Sequence, residues 1–167
     1  MITLLQFTDE CATLLDLSAA FDTVDHSILL HRLKTSFGLS GSVLAWFSSY
    51  IDQRRHYVSV HGEHSAVSET KFGVPQGSVL GPILFIMYTV DVISIVERAG
   101  LSVHQFADDT QIYGSCRSHQ SASLCHDIGV CVDSVACWTR SNRLQLNADK
   151  TEFMWCVPPR RHQLPDK

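Results

Sequence analysis

Apolar and polar positions along this chain follow two periods, one of strands and one of helices. The run Ala12–Leu17, ATLLDL, is apolar but for one carboxylate. Its length and Thr/Leu content predict a buried strand carrying Asp16 at its end. From Asp25 to Phe37 the residues Ile28, Leu29, Leu33 and Phe37 recur at helical spacing, closed by Gly38. Asp25, with Asp22 nearby, reads as the cap of that helix. Ser40 opens a second amphipathic helix through Val43, Leu44, Trp46, Phe47, Tyr50 and Ile51, giving a helical hairpin about Gly38. Tyr57–His61 alternates as a half-exposed strand, turned by Gly62 and Glu63, with Ala66–Phe72 as its partner. Gly73 to Ser78 is a loop with two glycines and a proline. Pro82–Val96 is apolar enough for one buried helix, with Pro82 in its first turn. Leu101–Ala107 and Thr110–Gly114 predict a hairpin with Asp108 and Asp109 at its tip. Gln120–Arg140 predicts a further helix, and Leu144–Asn147 and Thr151–Val157 predict short strands flanking Asp149 and Lys150.

Strands and helices intermingle without a regular βαβ beat, and there is no internal repeat. The predicted fold class is α+β, an antiparallel sheet with helices packed on one face. With 167 residues, 45% hydrophobic and 18% charged, the chain suits one domain with a real core. That domain spans residues 1–157. In 158–167 prolines and charges replace the hydrophobic pattern, which predicts a flexible C-terminal tail. The net charge of −4 argues against a free-standing nucleic-acid binder with a broadly basic surface. Six cysteines are scattered with no Cys-x-x-Cys pair, which argues against zinc. No signal peptide or membrane-length apolar stretch is recognisable. A reducing setting, nucleus or cytoplasm, with no membrane partner, is expected.

The candidate chemistry lies in the acids. A dry, unpaired carboxylate at the end of an apolar strand costs roughly several kcal/mol, so Asp16 needs a cation, a hydrogen-bond network or solvent. Asp108 and Asp109 repel one another unless a cation lies between them. Three carboxylates from two strands match a two-metal site, because Mg²⁺ takes hard oxygen ligands and keeps water and substrate phosphates in its other positions. Adjacent strand residues point to opposite faces, so both Asp108 and Asp109 reach one metal only at a bend. Taken alone, an Asp-Asp pair is usually a solvated turn, and a strand-ending Asp is more often a cap or loop residue.

Four motifs in order carry a resemblance. Leu15 to His26, LDLSAAFDTVDH, resembles the first catalytic motif of non-LTR (LINE-type) retrotransposon reverse transcriptases. Gly73 to Pro82, GVPQGSVLGP, resembles their Gly-rich substrate-binding motif, and Phe106 to Asp109, FADD, resembles the [FY]-x-D-D box. Leu146 to Thr151, LNADKT, resembles the following motif with its Asn and Lys-Thr. The similarity runs from about Ala12 to Val157. It implies a polymerase palm that transfers deoxynucleotides from triphosphates to a DNA primer on an RNA template. It implies two Mg²⁺ ions, with Mn²⁺ as the alternative, held by Asp16, Asp108 and Asp109. By the same resemblance Phe21 lies beneath the incoming sugar, where its ring disfavours a ribose. Gln76 and Gly77 contact the nucleotide and the template-side backbone, and Lys150 reaches the triphosphate and protonates the leaving pyrophosphate. Read from the residues alone, Phe21 is equally core packing and Lys150 equally a solvated turn lysine. Arg54 and Arg55 either meet nucleic-acid phosphates or solvate the end of the second helix.

The family's fingers motifs precede the first Asp motif and its thumb follows the Lys motif. Little chain lies on either side here, so the expectation is a palm working with fingers and thumb segments of something longer. The alternative is a catalytically inactive retroelement remnant or nucleic-acid-binding fragment. A viral RNA-dependent RNA polymerase palm fits less well, since those more often carry Gly-Asp-Asp and a smaller residue than Phe21. Group II intron reverse transcriptases usually have a different Gly-rich motif.

Overall fold

The computed structural model describes residues 8–156. The predicted tail and Val157 lie outside them. Strand β1 (Thr8–Leu15) begins earlier than Ala12 and ends one residue short of Asp16, so the acid stands free of the ladder. The chain then turns into the short β2 (Leu17–Ser18) and a 3-10 turn at Ala20–Asp22. Helix α1 (His26–Thr35) starts as predicted at Asp25, whose Oδ1 accepts the N–H groups of Ser27 at 2.9 Å and Ile28 at 3.0 Å. Gly38, at φ +67°, turns the chain into α2 (Gly41–Ile51). Left-handed backbone there favours a residue without a Cβ.

The next hairpin differs from the predicted pairing. Its ladder comes in two pieces: β3 (Arg54–His56) with β6 (Ser68–Thr70), and β4 (Ser59–Val60) with β5 (Glu63–His64). The break falls where Ser65 replaces ladder bonds with its side chain: Val58 N–H donates to Ser65 Oγ at 2.9 Å, and Ser65 N–H to Val58 O. The turn is His61–Gly62, both at positive φ, and Glu63 already belongs to a strand. Positive φ at both central residues is the tight-hairpin geometry whose twist suits the strands.

The apolar run expected as one helix over Pro82–Val96 forms two, α3 (Leu80–Thr89) and α4 (Asp91–Arg98), bent by 42°. Thr89 sits at the bend, and its hydroxyl donates to Phe85 O at 3.1 Å and contacts Ile86 O at 3.4 Å. Such back-bonding competes with the helical ladder. Asp91 is drawn aside to Arg32, Oδ2 to Nη2 2.9 Å. No single helix among the described residues is long and apolar enough to cross a membrane.

Strands β7 (Ser102–Phe106) and β8 (Asp109–Arg117) form the predicted acidic-tipped hairpin. Helix α5 (Ser121–Ser141), β9 (Gln145–Leu146) and β10 (Glu152–Cys156) complete the chain. The main sheet runs β10-β1-β8-β7, antiparallel throughout. One face buries Cys11, Leu15 and Ile112 against Val96 of α4 and Ile128, Cys131 and Val135 of α5. Tyr113 and Met154, on the opposite face, stay exposed. The α+β class with helices on one face is therefore the observed one.

A second core joins α1, α2 and α3 through Leu29, Leu33, Ile51, Leu84, Phe85 and Tyr88. Each such buried side chain contributes about 1.5–3 kcal/mol, more than a typical cap at about 1 kcal/mol, so packing rather than capping fixes these helices. Trp138 of α5 touches both clusters.

Candidate catalytic cleft

The β1–β8 ladder sets Leu15 opposite Thr110. Asp16 follows Leu15 and Asp109 precedes Thr110, so both acids stand at that end of the ladder. Asp109 opens β8 as the closing partner of Phe106, across a turn in which Ala107 takes φ +55°. Asp16 and Asp109 share an open cleft of about 370 Å³ with Thr110, Asp149, Lys150 and Glu152. Asp108 stands at the hairpin turn, half-buried and outside that lining. Among the described residues, no three His, Cys, Asp or Glu side chains stand close enough to hold a metal ion between them.

The far side of the cleft is built by a long-range contact. β2 pairs with β9, Leu17 opposite Leu146, and this brings Asn147 to Asp16. The Asn147 N–H donates to Asp16 O at 2.8 Å and its Nδ2 to Asp16 Oδ2 at 3.0 Å. Lys150 Nζ lies 4.0 Å from the same Oδ2, on a side chain 71% exposed. Thr151 Oγ1 donates to Asn147 O at 2.8 Å, closing the turn around the lysine. The Asn of the LNADKT motif was visible in sequence but carried no role. A strand-ending carboxylate in want of a donor is the signal that finds it.

The chain reaches Asn147 through a polar network that sequence reading also missed. Arg32 is buried between the rings of Tyr88 and Trp138, each 5.3 Å from its guanidinium carbon. It donates to Tyr88 O and, at 2.9 Å, to Asn142 Oδ1. Tyr88 donates its hydroxyl to Asn142 O at 2.6 Å. Arg143 pairs with Asp25 at 3.0 Å. Burial pushes the Asp25 carboxyl up, but bonds from Ile28 N–H and Ser27, with the Arg143 charge, outweigh it and hold it below the usual range. These contacts pin the end of α5, from which β9 departs.

The Gly-rich loop joins the first motif more tightly than spacing alone predicts. Gly73 N–H donates to Val24 O and Val74 N–H to Phe21 O, both at 2.8 Å. His26 Nε2 meets Gly73 O at 2.8 Å. Gly73 takes φ +90°, and a Cβ on it would stand 2.8 Å from Phe21 O and 2.9 Å from Asp22 Cα. Phe21 is half-buried with its ring centroid 5.1 Å from that of Phe85, so it is partly core. Gln76 is exposed and donates Nε2 to Asp22 Oδ1 at 3.3 Å. Gly77 takes φ +76° in open space. None of Phe21, Gln76 and Gly77 lines the carboxylate cleft.

Sequence comparison decides what family this geometry serves. The profile of the family described as "Reverse transcriptase (RNA-dependent DNA polymerase)" matches residues 4–163. The chain belongs to the reverse transcriptase family. Over 141 residues it is 30% identical to the RNA-directed DNA polymerase from mobile element jockey of Drosophila melanogaster, covering 81% of this chain and 15% of that protein. Over 152 residues it is 31% identical to the probable RNA-directed DNA polymerase from transposon X-element of the same fly, covering 88% of this chain and 16% of that one. This reverse transcriptase domain thus spans about one sixth of those curated relatives. Among solved structures, the apo telomerase of Candida tropicalis truncated from its C-terminal domain superposes at a TM-score of 0.66. That match covers 94% of this chain and 32% of the telomerase at 14% identity, which establishes a shared polymerase palm fold. Reverse transcriptases generally depend on divalent metal ions.

Proposed function

We propose that this reverse transcriptase domain, residues 1–157, adds deoxynucleotides to a primer 3′-hydroxyl on an RNA template. The observation that supports the reading is the open cleft that Asp16 and Asp109 share with Lys150, with Asn147 hydrogen-bonded to Asp16. The cleft's donors are all hard oxygens, the set that suits Mg²⁺. Mg²⁺ is usually held by one or two carboxylates with substrate phosphates and water completing its shell, so an open cleft fits it better than a closed cage. Asp16 and Asp108 are the principal ligands in this reading, with Asp109 as the third acid and Mn²⁺ as the alternative ion. Held there, two such ions would supply Lewis acidity to the primer hydroxyl and offset charge on the triphosphate.

The chain's own groups do the rest. Asn147 holds one Asp16 oxygen by a hydrogen bond and leaves the other without a hydrogen-bond partner among the described residues. Attack of the 3′-oxygen on the α-phosphorus forms one P–O bond, breaks the bond to the bridging oxygen and releases pyrophosphate. Lys150, tethered near Asp16 but exposed, gives that leaving group a proton. Phe21, backed by Phe85, lies under the incoming sugar, and Gln76 and Gly77 meet the nucleotide and template-side backbone. Fingers and thumb segments of a longer protein grip primer and template. Among the described residues no disulfide forms, which suits a reducing nucleus or cytoplasm.

Primer extension on poly(rA)/oligo(dT) with Mg²⁺ tests the reading. Extension by the domain, abolished in Asp16→Asn and Asp108→Asn, is expected. Absence of extension, with RNA binding intact, would sink catalysis and leave a nucleic-acid-binding fragment.

A further inference from the structure

A second cleft, of about 420 Å³, shares no lining residue with the carboxylate cleft. Arg54, Arg55 and His56 of β3 line it together with Phe72, Gln76 and Asp22. Three consecutive basic-type residues are a notable concentration in a chain whose net charge is −4. Among the described residues neither arginine forms an ion pair, although Glu69 stands opposite Arg55 in the ladder. Arg54 lies over the Tyr50 ring at 5.3 Å and spends one donor on Tyr50 O at 3.1 Å, which holds the guanidinium in place with donors to spare. Phe72 is 48% exposed, an aromatic face left out of both cores. Asp22, the one acid in the lining, already has Oδ1 engaged by Gln76.

Unpaired guanidiniums beside an exposed ring are the elements of a single-strand site: charges for phosphates and a face for a base. We propose that this cleft binds single-stranded nucleic acid, with the Arg54 and Arg55 charges at its two sides meeting phosphates and Phe72 stacked on a base. Resting on the function proposed above, the strand is the RNA template approaching Gln76, which borders the cleft. The chemistry shared with a free nucleotide is the phosphate, and the ring and the length of the basic wall favour the strand.

The test is anisotropy of a short labelled single-stranded RNA titrated with the full chain at several salt concentrations. Arg54→Ala/Arg55→Ala is expected to weaken binding and flatten the log–log salt slope by about 1.4, at about 0.7 per phosphate contact. Phe72→Ala is expected to weaken it about 5- to 150-fold with the slope unchanged. Arg54→Lys/Arg55→Lys is expected to restore the slope, because charge is kept. All of these side chains are exposed, so melting temperatures should match the parent, and Arg54→Gln/Arg55→Gln serves as the charge-removing pair if the alanine pair unfolds. Unchanged affinity and slope in a folded variant lacking both arginine charges, or no RNA binding by the parent, overturns the proposal. Displacement of RNA by inorganic tripolyphosphate at equal affinity also overturns it, in favour of a triphosphate pocket. Asp16→Asn is expected to keep RNA binding, so loss of catalysis and loss of this site are separate results.

Discussion

Gly73 offers the sharpest test of how the first two motifs are locked together. Alanine at φ +90° costs roughly 1–2 kcal/mol in backbone strain alone. Its Cβ would also press on Phe21 O and Asp22 Cα, which are main-chain atoms and cannot swing away. Relief requires the loop to lift, weakening the Gly73–Val24 and Val74–Phe21 bonds, each worth about 0.5–1.5 kcal/mol. Reduced freedom of the unfolded chain returns only about 0.4–1 kcal/mol. The expected net loss is about 2–4 kcal/mol, or roughly 5–15 °C in melting temperature for a domain of this size. Gly77 is the control. It has the same need for positive φ, at +76°, but nothing within 4 Å of an added Cβ. Gly77→Ala should therefore lose only about 1 kcal/mol. Thermal unfolding by circular dichroism, repeated with urea, reads both variants. Equal losses, or a smaller loss in Gly73→Ala, would refute the claim that backbone contact, not backbone angle, makes glycine obligatory at 73.

Asn147→Ala removes a donor to a carboxylate, worth about 1.5–3 kcal/mol, with the lower end applying because the Asp16 side chain is 35% exposed. Primer extension should slow about tenfold and need more Mg²⁺ for half-saturation, with nucleotide KM unchanged; an unaltered Mg²⁺ response would count against a positioning role. The Asp25 carboxyl titrates below its ordinary 3.8 when folded, so its stabilisation is present above that pH and fades as pH falls through the folded value. Asp25→Asn should melt lower than the parent at neutral pH, with the gap closing below pH 3.8, and a gap independent of pH would contradict this. Burial, aided by neighbouring thiols, pushes the Cys11 thiol up to about 12. Pulse alkylation at neutral pH followed by mass spectrometry should therefore label exposed Cys137 and Cys156 quickly and leave Cys11 and Cys131 untouched until the chain unfolds.

What could be read from the sequence was what is local. The Asp25 cap, the Gly38 turn and the Asp108–Asp109 hairpin each follow from a few neighbouring residues, and each is in the structure. The helix expected over Pro82–Val96 divides because a buried threonine hydroxyl and an ion pair to Arg32 act at the bend, and apolar periodicity registers neither. The hairpin after Arg54 shifts its pairing because a serine side chain replaces ladder bonds. In the site, the acids were legible as an electrostatic problem, but their register was not. Asp16 meets Asn147 only through the β2–β9 pairing, a contact between residues far apart in the chain. Arg32 was hidden for the same reason: its partners sit on α3, α4 and just past the end of α5.

Trp138 touches both hydrophobic clusters, with the Arg32 guanidinium 5.3 Å from its ring. Of the other tryptophans, Trp46 is exposed and Trp155 packs against the sheet cluster alone. One indole therefore sits at the seam where the acid-bearing sheet meets the helices that carry the Gly-rich loop. In a chain keeping Trp138 alone, with Trp46 and Trp155 replaced by phenylalanine, emission becomes a native optical gauge. Slippage of one half on the other would shift its wavelength before either half melted, without any dye attached.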